Sequence, residues 1–120
     1  MSVELYIEFK NQDIRKKYIP KLKEKIISMP TYIKDEQSEE NKKIYVKRND
    51  EFWLKGVEPY RGEEEWDYDV RIFTDYEPNL LIEISAHPKS VDDDLRNIFA
   101  YVRSETELRI VDEDGETSNW

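Results

Sequence analysis

Residues 112–116 read Asp-Glu-Asp-Gly-Glu, four carboxylates around one glycine. Clustered carboxylates are the ligand chemistry of calcium, a hard cation that takes oxygen. The EF-hand loop demands more: oxygens at alternate positions, a glycine sixth, a glutamate twelfth, and a helix on each side. Counting from Asp112 puts Glu116 fifth and Thr117 where the glycine belongs. Counting from Asp114 leaves too little of the sequence to finish the loop. The local pattern predicts a tight turn with Gly115 at positive φ, and no metal or cofactor is expected.

His87, in "SAHPKS", is the single histidine. The end of a strand suits a general base, but a base needs an acid, nucleophile or metal beside it. No G-x-S-x-G, H-E-x-x-H or C-x-x-C accompanies it, and one His with no Cys cannot build a usual zinc site. Asp67, Asp69, Asp75 and Glu83 could pair for acid–base work as in a glycosidase. Asp67 and Asp69 would stand about 7 Å apart on one strand face. That spacing is cheap in an acidic strand, and a small core leaves little room for a pocket. The glycines, at 56, 62 and 115, are too scattered to cradle phosphate. The expectation is no enzyme, with a small hydrolase as the minor alternative.

The elements that would position these groups follow from periodicity. "VELYIEF" alternates, with Val3, Leu5, Ile7 and Phe9 on one face and Glu4, Tyr6 and Glu8 on the other. Asn11 or Asp13 can cap a helix whose stripe is Ile14, Tyr18, Leu22, Ile26 and Met29. Pro20 either kinks that helix or starts its main part. Residues 31–42 read as a polar loop. "KIYVKRNDEFWLKGV" reads as a hairpin, with Ile44 and Val46 facing Phe52 and Leu54 across a turn near Asn49-Asp50. Tyr45 and Trp53 fall on its other face. Trp66, Tyr68, Val70 and Ile72 form one face of the next strand, with Asp67, Asp69, Arg71 and Phe73 opposite. The reverse assignment would expose Trp66 and Tyr68. "LLIEISA" completes a second hairpin. "SVDDDLRNIFAYV" opens with Ser90 as cap and Asp93 in its third position. Asp92, Asp93 and Asp94 lie in the first turn, and Val91, Leu95, Ile98, Phe99 and Val102 make the buried stripe. "ELRIV" is the last strand.

This order predicts one α+β domain spanning 1–120. It is a two-layer sandwich: a mostly antiparallel sheet with two helices on one face, in ferredoxin-like β-α-β-β-α-β order with an inserted hairpin.

Charge narrows the partner. The chain of 120 residues has net charge −9, with 39% charged and 38% hydrophobic residues. Residues 1–55 carry 13 Lys/Arg and 10 Asp/Glu, a net of +3; residues 56–120 carry 6 and 18, a net of −12. The second half is a poor surface for phosphate and a good one for a basic protein, so a basic protein and no nucleic acid is the expected partner. Cysteine is absent, and no signal peptide or membrane span is visible. The expected home is the cytoplasm, with no membrane partner.

The outward strand residues mix Tyr6, Tyr45, Trp53 and Phe73 with Glu4, Glu8, Asp67, Asp69, Glu83, Glu107 and Arg109. Such a face suits a basic protein or a homodimer. An RNA-binding sheet is a lesser alternative, resting on Lys42, Lys43, Lys47 and Arg48 beside Tyr45 and Trp53. The segment "DLRNIFAYVRSETELRIVDEDGETSNW", Asp94 to Trp120, resembles the closing helix, strand and turn of small acidic immunity proteins that bacteria make against their own toxins. The resemblance implies a cytoplasmic, non-catalytic protein that binds one cognate toxin domain, possibly a nuclease. Charge mimicry would then fall to Glu64, Asp67, Asp69, Asp112 and Asp114, with Trp120 as an aromatic anchor. The competing expectation is a structural or adaptor domain without inhibitory activity.

Overall fold

The computed structural model describes residues 3–33, 50–58 and 68–120. Its elements are β1 (Val3–Phe9), α1 (Gln12–Ile27), β2 (Tyr32–Ile33), β3 (Glu51–Leu54), β4 (Val70–Phe73), β5 (Leu80–Ile84), α2 (Lys89–Ser104) and β6 (Leu108–Val111). The sheet order is β2-β3-β4-β5-β1-β6, with every pair antiparallel. The run β4-β5-β1-β6 is the ferredoxin-like arrangement, and β2 and β3 extend it at one edge.

Both helices cover one sheet face. Tyr18, Leu22 and Ile26 of α1 and Val91, Leu95, Ile98, Phe99 and Val102 of α2 meet the inward residues of the strands, Leu5, Ile7, Leu54, Val70, Ile72, Ile82 and Ile110 among them. At ~25 cal/mol per Å² of apolar surface, burial of this kind is the main stabilising term. Asn11 caps α1, its Oδ1 accepting from the Ile14 N–H at 2.9 Å. The helix runs unbroken through Pro20.

Three expectations need correction. First, Tyr32–Ile33, expected in a loop, is a strand paired with Trp53 and Leu54. The inserted pair therefore starts earlier than expected, and Ile44 and Val46 lie outside the described residues. Second, Ser90 does not cap α2. The cap position is Pro88, without a side-chain bond, and a carboxylate from elsewhere serves the helix start. Glu58 accepts from the Ser90 N–H at 3.4 Å and from the Ser90 hydroxyl. An anion there is favoured by the helix dipole. Third, Asp94, expected in the first turn with Asp92 and Asp93, lies beyond that turn, whose acid is Asp92. Asp94 is buried, and its Oδ2 accepts from the Thr31 N–H at 3.2 Å and the Thr31 hydroxyl, tying α2 to the segment before β2.

Candidate protein-binding face

The helix-free side of the sheet is organised in rows by the strand register. One row runs Trp53, Arg71, Glu83, Glu4; the next runs Glu51, Phe73, Leu81, Tyr6, Val111; Glu8 and Arg109 form a third. The two ends of this face differ in character.

At the β3–β4 end the groups satisfy one another. The Arg71 guanidinium donates to Glu83 Oε1 from Nε at 3.1 Å and from Nη2 at 2.7 Å. Its Nη1 is 3.7 Å from Glu51 Oε1. The same guanidinium lies 4.8 Å over the Tyr68 ring and 5.3 Å over Phe73. Trp53 Nε1 donates to Glu51 Oε1 at 2.7 Å, and its ring packs 4.8 Å from Tyr68. Trp53, expected on an exposed aromatic patch, is only 1% exposed. A paired and covered arrangement of this kind stabilises and orients the sheet; it leaves little for a partner.

Asp69, expected to meet a partner, is fully buried. Its N–H donates to Leu54 O at 2.8 Å, and its carbonyl accepts from the Ser85 and Ala86 N–H groups. Its Oδ2 accepts from the Gly56 N–H at 2.7 Å. The chain bends there before β4 begins at Val70. Counting by twos through the bend therefore fails, and Tyr68 lies against Trp53 and Arg71 rather than beside Val70 and Ile72.

At the β1–β6 end the face is different. Tyr6 and Tyr76 approach to 5.9 Å between ring centroids. The Tyr6 hydroxyl donates to Glu4 Oε2 at 2.8 Å, and the Glu4 N–H donates to Glu113 Oε1 at 3.0 Å. Tyr76 is 46% exposed. The Tyr6 phenol is pushed up to about 12, first by its bond to Glu4, then by burial and by the charges around it, Glu113 among them. Among the described residues no cation pairs with Glu4 or Glu113, whereas Glu8 is taken by Arg109 Nη2 at 2.7 Å. The result is one connected patch of two tyrosines and two unneutralised carboxylates, backed by Leu81 and Phe73.

The acidic turn 112–116 closes on itself. Asp112 Oδ1 accepts from the Asp114 and Glu116 N–H groups at 2.9 and 3.0 Å, and the Asp112 N–H donates to Glu116 O at 2.8 Å. Gly115 has φ +81. The chain then returns along β6 through a Val111–Thr117 bridge and a bond from the Ser118 N–H to Ile110 O. No group of three or more His, Cys, Asp or Glu arranged for a metal occurs among the described residues. Comparison with protein-family models, curated proteins and solved structures finds no match.

The other residues expected to bind a partner scatter. Trp120 reaches the helix layer, 5.6 Å from both Phe99 and His87, with Arg96 5.5 Å from its ring. His87 Nδ1 is 3.7 Å from Asp92 Oδ1, and Arg96 Nε donates to Oδ2 of the same carboxylate at 2.8 Å. Asp114 is exposed on the turn. Glu64 and Asp67 lie outside the described residues, as do Tyr45 and Trp66. Strand alternation did place Tyr6, Phe73, Glu4 and Glu8 on one face. Tyr76 and Glu113 were missed because they sit in turns, where no periodicity marks a face.

Proposed function

We propose that this chain is a binding protein whose helix-free face, at its β1–β6 end, seats a basic protein. The supporting observation is the connected Tyr6–Tyr76–Glu4–Glu113 patch, which carries uncompensated negative charge beside partly exposed rings. Rings of this kind supply contact area at low entropic cost, and the carboxylates steer a cationic partner and pair with its Lys or Arg side chains. The resemblance of residues 94–120 to immunity proteins points to a toxin domain as that partner, neutralised by coverage of its basic surface. A second reading, an adaptor domain without inhibitory activity, draws on the withdrawal of Trp53 and Trp120 into the fold.

Affinity capture from source-cell lysate and secretome, with wild type and the Glu4→Lys/Glu113→Lys variant side by side, tests the proposal. The expected result is a basic protein retained by wild type, released by high salt, and held about tenfold more weakly by the variant, equivalent to ~1.4 kcal/mol. Addition of wild type should also suppress that protein's activity. A partner bound without suppression supports the adaptor reading. A partner held equally by both proteins sinks the acidic-face mechanism.

A further inference from the structure

In the opposite layer, helix α1 carries the reverse charge. It contains Arg15 and five lysines against Asp13 and Glu24. Among the described residues, Lys16, Lys17, Lys21 and Lys25 have no carboxylate partner, while Lys23 alone of the five pairs, with Asp50 at 3.5 Å. This is unexpected in a chain where 28 acids face 19 bases. Lys17, Lys21 and Lys25 recur every fourth residue, so their positions step by about 6 Å along one ridge. Rings rather than acids hold their ammonium groups: Lys17 and Lys21 each lie 5.2 Å from the Tyr18 ring centroid, and Lys25 lies 5.6 Å from that of Tyr101.

We infer that this ridge is a docking surface for the phosphate backbone of a nucleic-acid duplex. Three observations favour that occupant. Lysine is depleted at protein–protein interfaces, which are built around aromatic, Met or Arg anchors, and the one large apolar side chain exposed on α1 is Ile27, in its last turn. Single strands are gripped by stacking on open rings, yet Tyr18 is buried beneath the lysines. A regular row of point charges with no base-reading group matches backbone contact, which positions without reading sequence. Of the acids behind the net charge of −9, those on the far face are screened from the ridge at physiological salt, because the shortest extent of the molecule is 25 Å, about three Debye lengths. Asp13 and Glu24 of α1, and Glu105, which accepts from the Tyr18 hydroxyl at 2.8 Å, stand closer and offset part of the ridge's charge, leaving α1 itself net positive. The acidic patch lies across the sheet, and both faces can be occupied together.

The test is binding of a fluorescein-labelled 20-base-pair duplex DNA to the full chain, from about 50 to 200 mM salt. Neutralising three phosphates on a duplex gives a log–log salt slope of about −2.7, or roughly 40-fold weaker binding over that range. The Lys17→Gln/Lys21→Gln/Lys25→Gln variant keeps helix propensity and should lose the salt-dependent binding, with circular dichroism confirming its fold. No binding by wild type at the lowest salt would overturn the inference. So would equal binding by the triple variant, or competition by polyglutamate as effective as by unlabelled duplex, which would make the occupant an acidic protein.

Discussion

Asp69→Ala separates a structural carboxylate from a recognition carboxylate. The side chain is fully buried and accepts from the Gly56 N–H at 2.7 Å. Truncation removes a charge-assisted bond and leaves that donor without its partner, a cost of about 1.5–3 kcal/mol. The backbone bonds of Asp69 to Leu54, Ser85 and Ala86 remain available, so the damage is confined to the side chain. For a chain of this length each kcal/mol lowers Tm by about 4 °C, which puts the loss at roughly 6–12 °C. Asp69→Asn keeps an acceptor oxygen and should cost about half as much. Urea unfolding of wild type and both variants measures this, with an unchanged m value showing that the same cooperative unit unfolds. Alanine at wild-type stability would refute the argument that this carboxylate stitches β3 to β4. It would then belong to the surface, where the alternating pattern of "WDYDV" first put it.

Asp112→Ala removes two side-chain bonds to the turn and should cost about 1–2 kcal/mol. Gly115→Ala meets no neighbouring atom but must hold φ +81, a strain of about 1 kcal/mol; both are read by thermal melting, and millimolar calcium should leave the wild-type midpoint unmoved. The Tyr18 phenol is also pushed up to about 12, chiefly by its bond to the Glu105 carboxylate at 2.8 Å, as Tyr6 is by Glu4. The folded state therefore holds these protons more tightly than the unfolded chain, so their stabilisation is complete below pH 10 and is lost as pH rises from 10 towards 12. Tyrosinate absorbance should show late-titrating phenols, Tyr6 and Tyr18 among them, with Tyr101 also raised by its burial. Tyr18→Phe should remove one of them and flatten the alkaline loss of stability, and an unchanged titration would contradict the bond.

Most of the architecture was readable from periodicity because most elements are amphipathic. The α2 stripe Val91, Leu95, Ile98, Phe99 and Val102 is buried throughout, and the alternation of β1 predicted its inward Leu5 and Ile7. What escaped has tertiary causes. Two residues are too few to show a period, so Tyr32–Ile33 becomes a strand only through its pairing with β3. Glu58 replaces Ser90 at the start of α2 from 32 residues away. Trp53 lay on the face that alternation assigned, but Tyr68 and Glu51 enclose it. For the same reason charge counting overvalued Asp69 and Asp112: a count sees a carboxylate, and the fold decides whether backbone N–H groups already occupy it. Tyr76 and Glu113 reach the β1 face from turns, through contacts with Tyr6 and Glu4 that no local pattern encodes.

The position of β1 has a kinetic consequence. It lies between β5 and β6, so its partners are residues 80–84 and 108–111. The closure of both ladders spans most of the chain, and loop entropy must be met before either pairing stabilises it. During synthesis Val3, Leu5, Ile7 and Phe9 emerge long before anything covers them, with Glu4 and Glu8 interleaved as charges that discourage pairing between unfinished chains. Among the described strands, the one made last therefore completes the shelter of the one made first.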